Sequence, residues 1–379
     1  MDIIYLHRIA SKDGQYVHVE ELTNALKEQG HSLRFVAPQF TKESDFGSDG
    51  GFVSKLKERL PRWVYEILEL SYSMLIALKL IKAILQKRPD FIYERYNLYQ
   101  PAGVIVAKLF KLPILLEVNA PLVQEREKYS GLALPEFAKV IEDFTWRNAS
   151  YVLPVTQVLA EHVAAAGVNR SAIVVVPNGI NENVLDQLDK NSRNRENKQD
   201  IVIGFTGFIN PWHKLDKALD AIAEIGNKDV KFICVGEGDI RSELEMKARQ
   251  YGIDNQVTFT GLVSRDDVFN YVAQFDIALQ PSVTEYASPL KLFEYLACGA
   301  LVIAPDMANI REVLSEENAI LFDPNIENDF RNKLLTALEN FKEYSSVRRA
   351  ARESIELQNL TWQNNARRVV GLVCDFQRR

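Results

Sequence analysis

The amino-acid sequence predicts an α/β protein made of two Rossmann-like halves with mainly parallel sheets. Three observations carry this expectation. Short apolar, strand-like runs alternate with longer helix-like segments along the whole chain, the pattern that βαβ units produce. The alternation occurs twice, separated by a polar stretch from Leu185 to Asp200 that is nearly free of large apolar residues, as a linker or exposed loop would be. The length of 379 residues suits two domains of ordinary size.

In the first half, strands are expected at Ile3–Leu6, Ser32–Val36, Phe91–Tyr93, Ile114–Val118, Tyr151–Leu153 and Ile173–Val176. Helices are expected between them, for example Val17–Gln29 and Pro135–Asn148. The second series has strands at Ile201–Phe205, Val230–Val235, Val257–Thr260, Ile277–Leu279, Leu301–Ala304 and Ala319–Phe322. Its helices are His213–Ile225, Ile240–Tyr251, Arg265–Ala273, Pro289–Cys298 and Asn328–Phe341. A tail from Thr361 to Phe376 places Trp362, Ala366, Val369, Val370 and Val373 on one side of a helix. The expected domains are therefore 1–184, with 361–379 as a terminal helix, and 201–360, joined by a linker at 185–200. Two such halves hold a ligand in the cleft between them, at the carboxyl ends of the strands.

Composition narrows the function. A hydrophobic fraction of 47% and a charged fraction of 25% describe a globular protein. The net charge of −6 lacks the basic field of a nucleic-acid binder. Cys234, Cys298 and Cys374 form no metal-binding spacing and predict a reducing cytoplasm. The chain opens directly on the strand-like Asp2–Leu6, without a signal peptide pattern.

Trp63 to Leu85 is strongly apolar, but Glu66, Glu69, Lys79 and Lys82 interrupt it, which excludes a spanning helix. Lys55, Lys57, Arg59 and Arg62 precede it, interleaved with Leu56, Leu60 and Trp63. The region 52–85 reads either as a helix lying on an anionic membrane face or as a core helix with a solvated basic approach.

The most informative stretch runs from Ser288 to Gly299. Ser288 suits an N-cap, Pro289 the first helical position and Gly299 the exit. Lys291 stands where an acid is normally favoured, adding positive charge to a positive helix end. An anion there would reconcile the two, so the stretch reads as a phosphate site. Glu294 lies one turn on, within reach of a hydroxyl-bearing group beside that phosphate. An ordinary capped helix with an exposed Lys and Glu is the competing reading. Val235-Gly236-Glu237-Gly238-Asp239 follows a strand but lacks the third glycine of a dinucleotide fingerprint, so a tight turn is expected. No Walker A, His-Glu-x-x-His or paired-cysteine pattern occurs, and no catalytic metal or other cofactor is expected. Gly14 would let backbone approach a phosphate. The ends of two strands would deliver Glu94, Arg95 and Tyr96, and Glu117 and Asn119, to the cleft; a strand-end salt bridge is the alternative for the first of these.

Taken together, these segments resemble glycosyltransferase family 4, which has the GT-B fold. The resemblance spans nearly the whole chain. It includes Gly30-His31, Val176-Pro177-Asn178-Gly179-Ile180, Gly204-Phe205-Thr206-Gly207, Val235-Gly236-Glu237-Gly238, Phe259-Thr260-Gly261-Leu262-Val263 and Asp276-Ile277-Ala278-Leu279-Gln280-Pro281-Ser282, besides the stretch from Ser288 to Ala304.

The resemblance implies two Rossmann-like domains across a deep cleft, with the terminal helix crossing back to the first. It implies metal-independent, retaining transfer of a hexose-type sugar from a nucleoside-diphosphate sugar, such as a UDP-sugar, to a hydroxyl acceptor. Surface polysaccharide or glycolipid assembly at the inner membrane face is the expected setting. Glu294 would hold the ribose, Leu290 and Lys291 the phosphates and sugar, and Leu262, Val263 and Arg265 the base. Gly14, Gly207, His213, Lys214, Gly236, Tyr286, Ser288 and Pro289 would complete the donor site. His18, Glu94, Arg95, Tyr96, Glu117 and Asn119 would meet the acceptor.

Three departures stand out. The first glutamate of the family's E-x7-E pattern is Tyr286 here, with Glu285 offset by one. After Gly207 the usual Arg and Lys are replaced by a segment ending in His213 and Lys214. Asn119 stands where many members have a histidine. Lys291, Asn119 and Glu285 are the candidate catalytic residues. A non-catalytic homologue that binds a sugar nucleotide or scaffolds a complex, and another GT-B enzyme such as an epimerase or phosphorylase, stay open at this point.

Overall fold

The computed structural model describes residues 1–9, 14–38, 60–191 and 200–378. The chain forms two compact units. The first comprises Met1–Pro177, Tyr286–Ser288 and Trp362–Arg379; the second comprises Asn178–Glu285 and Pro289–Thr361.

The first unit is built on β1 (Asp2–Leu6), β2 (Ser32–Val36), β3 (Phe91–Arg95), β4 (Ile114–Val118) and β5 (Tyr151–Pro154). They pair in the order β2-β1-β3-β4-β5, and every pairing is parallel. Strands such as Ile-Leu-Leu-Glu-Val are continuous rather than alternating because both faces of a parallel sheet are covered. Ile76, Leu80 and Ile84 of the helix Arg62–Gln86 and Val104 and Ala107 of the helix Ala102–Phe110 pack with Ile4, Leu6 and Ile92. The terminal helix Trp362–Arg378 packs against the helix Gly14–Glu28 of this unit. Gln363 Nε2 donates to Glu28 at 2.9 Å, and Asn365 Nδ2 donates to the Pro177 carbonyl at 2.7 Å.

The second unit carries β6 (Ile201–Thr206), β7 (Val230–Val235), β8 (Val257–Phe259), β9 (Ile277–Leu279), β10 (Leu301–Pro305) and β11 (Ala319–Phe322), ordered β11-β10-β9-β6-β7-β8. All pairings are again parallel. Phe205, Leu215, Leu219, Phe232, Ile303 and Leu334 lie in one of its cores. In each sheet the strand order reverses, at β1/β3 and at β6/β9, and such reversals open a crevice at the carboxyl ends of the strands.

Three expectations need correction. Ile173–Val176 is not a ladder strand: only Ile173 bridges Val152, and the segment follows the sheet edge through Val174 N–H and Val176 N–H to the Val152 and Pro154 carbonyls. The stretch from Leu185 is not simply a linker. A helix spans Glu182–Asn191, and Leu185 is buried in the second unit's core with Val184 and Leu188 against it; three apolar residues at helical spacing suffice to dock a polar helix. Residues 192–199 of that stretch lie outside the described residues. Ser288 and Pro289 are each displaced by one position, because the helix begins at Leu290 with Pro289 as its cap and no side-chain capping bond.

Candidate functional site in the second unit

The loop after β6 and the helix Leu290–Ala297 meet around Phe205. Tyr295 ties them: its hydroxyl oxygen accepts from Thr206 N–H at 2.9 Å. Leu290 and Lys291 are the first helical residues, so their N–H groups have no carbonyl partner within the helix. Lys291 Nζ lies 4.0 Å from the centre of the Phe205 ring and makes no hydrogen bond or ion pair among the described residues. Burial lowers its pKa to about 8. Glu294 is buried one turn later, as the helical spacing predicts.

Gly207 stands beside the ammonium. A Cβ at this position would sit 3.1 Å from Lys291 Nζ, and its φ of +121° suits only glycine. Gly236 is required for a different reason: its Cβ would fall 2.1 Å from the Gly207 carbonyl oxygen. The G-x-G after β7 therefore lets two strand-end loops pack backbone to backbone. Gly261 bridges Gly236 on its other side, with Leu262 exposed and Val263 packed against the core. Arg265 opens the helix Arg265–Val272.

His213 lies 5.0 Å from Phe205, ring to ring. Burial, reinforced by the Lys291 charge, lowers its pKa to about 3, and it bonds the Phe208 backbone. Its Nδ1 is buried without a partner. His213 is thus neutral in the free protein, and its buried Nδ1 has a lone pair with which it can accept from a hydroxyl. Lys214 is exposed at φ +51°, heading the helix Leu215–Ile225. Glu285 is exposed. Tyr286 belongs to the first unit. Its side chain lies in the first unit's core, and its hydroxyl donates to Glu125 at 2.6 Å. Among the described residues no group of three or more His, Cys, Asp or Glu is arranged to hold a metal ion.

In the first unit, Glu117 organises a buried cluster. Tyr93 donates to it at 2.9 Å, Asn119 Nδ2 at 2.6 Å, and Arg95 pairs with it directly. Burial would raise the Glu117 pKa, but Arg95, His18 and these donors hold it below the usual value. His18 stands 3.9 Å from Glu117; burial lowers its pKa to about 3, so it is neutral and this is not an ion pair. With its amide nitrogen committed to Glu117, Asn119 keeps its carbonyl to accept a hydrogen bond. Glu94 departs from expectation. It is fully buried and burial raises its pKa to about 8, because β3 turns it away from Arg95 onto Gly103, where a Cβ could not fit. Tyr96 is also buried, donating to Glu142 at 3.1 Å. Asp13 lies outside the described residues, while Gly14 starts the first helix.

Sequence reasoning quoted the motif containing Phe205 but gave it no role, and missed Tyr295 and His7. The apolar rings read as core, which they also are. His7 carries a buried, unpartnered Nδ1 in the first unit, near Arg95 and Glu117, and its position just past β1 was the available signal.

Two parallel-sheet α/β units, the second with a glycine-lined cation at a helix start, define a GT-B glycosyltransferase. Residues 200–340 match the family described as glycosyl transferases group 1, and residues 13–179 match the glycosyl transferase 4-like domain. Together the two matches span most of the chain, which is a GT-B glycosyltransferase and so a transferase. An uncharacterized glycosyltransferase of Methanocaldococcus jannaschii is 22% identical over 371 residues, 93% of each chain. The GDP-mannose-dependent alpha-(1-6)-phosphatidylinositol dimannoside mannosyltransferase of Mycobacterium tuberculosis is 26% identical over 251 residues, 63% of each chain. Among solved structures, HepE of Anabaena in complex with UDP superposes with a TM-score of 0.73 at 18% identity, covering 99% of this chain and 100% of that one.

Proposed function

We propose that this glycosyltransferase moves a hexose-type sugar from a nucleoside-diphosphate sugar to an acceptor hydroxyl, with retention and without a metal. The observation that carries the reading is Lys291: a desolvated ammonium with no ion-pair partner among the described residues, at a helix start and beside a glycine that leaves room for a ligand. A diphosphate supplies the missing charge.

In this reading the second unit holds the donor and the first the acceptor. Lys291 and the first N–H groups of its helix stabilise the diphosphate as its bond to the sugar breaks. Preorganised charge aimed at a developing anion is a large catalytic contribution. The acceptor hydroxyl attacks the same face, and its proton passes to the leaving phosphate oxygen, so no strong protein base is required. Glu294 orients the ribose. His213 Nδ1 accepts from a donor hydroxyl, and the Asn119 carbonyl accepts from a sugar hydroxyl.

The acceptor is read as lipid-linked, as in surface polysaccharide or glycolipid assembly at the inner membrane face. Support comes from the helix Arg62–Gln86, which leaves Trp63, Ile67, Met74, Leu75, Leu78 and Leu85 exposed. Lys79, Lys82, Lys87 and Arg88 follow with no acid before Asp90. No helix among the described residues is long and apolar enough to cross a membrane. Lys55, Lys57 and Arg59 lie outside the described residues.

A thermal-shift screen of UDP-, GDP- and ADP-sugars on wild type and Lys291→Ala tests the donor reading. Bound ligand raises the melting temperature by mass action. One nucleotide sugar should stabilise wild type and not the variant; equal stabilisation of both would remove Lys291 from the site. The anomeric configuration of the product, followed by NMR, tests retention.

A further inference from the structure

A second cation without a hydrogen-bond or ion-pair partner among the described residues lies in the first unit, at the point where its strand order reverses. Arg8 follows β1 by two residues, on the crevice end of the sheet. Its guanidinium carbon stands 5.0 Å from the centre of the Tyr72 ring. Arg8 is half-buried and makes no hydrogen bond or ion pair among the described residues. Burial is the largest influence on its pKa and lowers it, against the opposing effects of Glu69 and Tyr72.

Glu69 cannot serve as a full partner because Arg126 already holds both of its oxygens, at 2.6 and 3.0 Å. Two guanidiniums therefore share one carboxylate, and Arg126 adds its own charge to the surroundings of Arg8. A partly desolvated cation that only shares a counter-charge is costly, and its place over a tyrosine ring returns only part of that cost. The remaining fork of donors matches the geometry of a phosphate.

We propose that Arg8, stacked on Tyr72 and backed by Arg126, binds a phosphate carried by the acceptor. The proposal rests on the reading that the first unit takes the acceptor, and it names that acceptor's class. The phosphate belongs either to a lipid headgroup or to a soluble sugar phosphate. The former fits the apolar outer face of the helix that supplies Tyr72.

Calorimetric titration of the full chain tests it with three probes: sn-glycerol 3-phosphate, dihexanoyl phosphatidic acid below its micellar concentration, and phosphate-free dihexanoylglycerol. Wild type should bind a phosphate probe and not the phosphate-free one. Arg8→Gln should weaken that binding at least tenfold while UDP binding is unchanged. Glu69→Gln, which leaves the cluster one charge more positive, should tighten it severalfold; a merely structural role for these residues predicts no such gain. Arg8→Lys, which keeps the charge but loses the fork, carries the test if Arg8→Gln does not fold. Binding of both phosphate probes points to a soluble phosphate, and binding of the lipid alone points to a headgroup. Equal affinity in wild type and the Arg8 variants, or no phosphate binding by wild type, overturns the proposal. If wild type fails to bind UDP while the Arg8 effect persists, it is the donor reading that fails and this one stands.

Discussion

Lys291 keeps its charge in a position that penalises it, next to an aromatic ring and the positive end of a helix. Replacing it with alanine should cost turnover at least about 100-fold, the loss expected from removing an oxyanion-type contact of about 3 kcal/mol. Steady-state kinetics checks this, and near-normal kcat would remove Lys291 from the chemistry. Because its pKa in the free protein is about 8, the charge is present below that pH and lost above it. Nucleotide affinity should therefore fall as pH rises through about 8, approaching tenfold per pH unit. Titration of UDP binding between pH 6.5 and 9.5 reads the effect, and Lys291→Ala should abolish the slope. Glu94 makes the opposite bargain, since burial raises its pKa from 4.5 to about 8. Between those values the folded chain holds a proton that the unfolded chain releases, so its contribution to stability falls as pH rises. Glu94→Gln should make the protein more stable at pH 8.5 by at least ~1 kcal/mol and flatten the pH dependence. Denaturant midpoints across pH measure it. Some slope remains, because burial raises Glu142 to about 7 in the same direction. An unchanged slope in the variant would show that Glu94 is ionised when folded.

At the scale of elements, the loops after β6 and β7 behave as one piece. Ile209 N–H donates to the Glu237 carbonyl at 2.9 Å, and a Cβ on Gly236 would overlap the Gly207 carbonyl. Gly236→Ala should destabilise the second unit by about 2–4 kcal/mol and weaken nucleotide binding with it. Equilibrium unfolding together with UDP titration checks both; wild-type stability would mean that the loops separate freely. The same elements explain what the sequence could and could not disclose. Strands such as Ile114–Val118 and Ile277–Leu279 were legible to the residue because short apolar runs in a parallel sheet are buried on both faces. Gly299 was legible as a helix exit because a left-handed position after a helix, here φ +63°, favours glycine. Ile173–Val176 has the same apolar signature, but whether an edge segment pairs depends on what lies beside it, which local pattern does not encode. The Lys291 cluster was half legible. Lys291 and Glu294 stand out as charges at fixed helical spacing, whereas Phe205 and Tyr295 do their work through a ring face and one hydroxyl. Motif spacing placed Tyr286 by chain position alone and could not disclose that its hydroxyl donates to Glu125, 161 residues away in sequence.

At the scale of the whole molecule, the net charge of −6 conceals a local contrast. The helix Arg62–Gln86 buries its polar side: Glu66 accepts from Tyr99 at 2.8 Å and from Ala133 N–H at 2.6 Å, and Ser73 accepts from Ala102 N–H at 3.2 Å. With Glu66 and Glu69 spent inward, the outward face is left apolar and basic. Met74 is 71% exposed, Leu78 64% and Leu85 73%, and Leu109 of the neighbouring helix is 69% exposed. Exposed apolar surface of this extent on one helix costs solubility unless something covers it, and a basic rim selects an anionic lipid surface. The chain should therefore float with vesicles containing phosphatidylglycerol and stay behind with phosphatidylcholine alone. Salt should weaken the association, since the Debye length shortens to about 3 Å at 1 M. Met74→Glu with Leu78→Glu should reduce partitioning more than tenfold, because each apolar side chain withdrawn from lipid forfeits roughly 1.5–3 kcal/mol, while nucleotide-sugar binding is unaffected. Flotation that ignores both lipid charge and these substitutions would assign the apolar face to a protein partner instead. Transfer to a soluble acceptor should survive the double substitution, and transfer to a vesicle-borne one should not. That difference separates a membrane anchor from a catalytic defect.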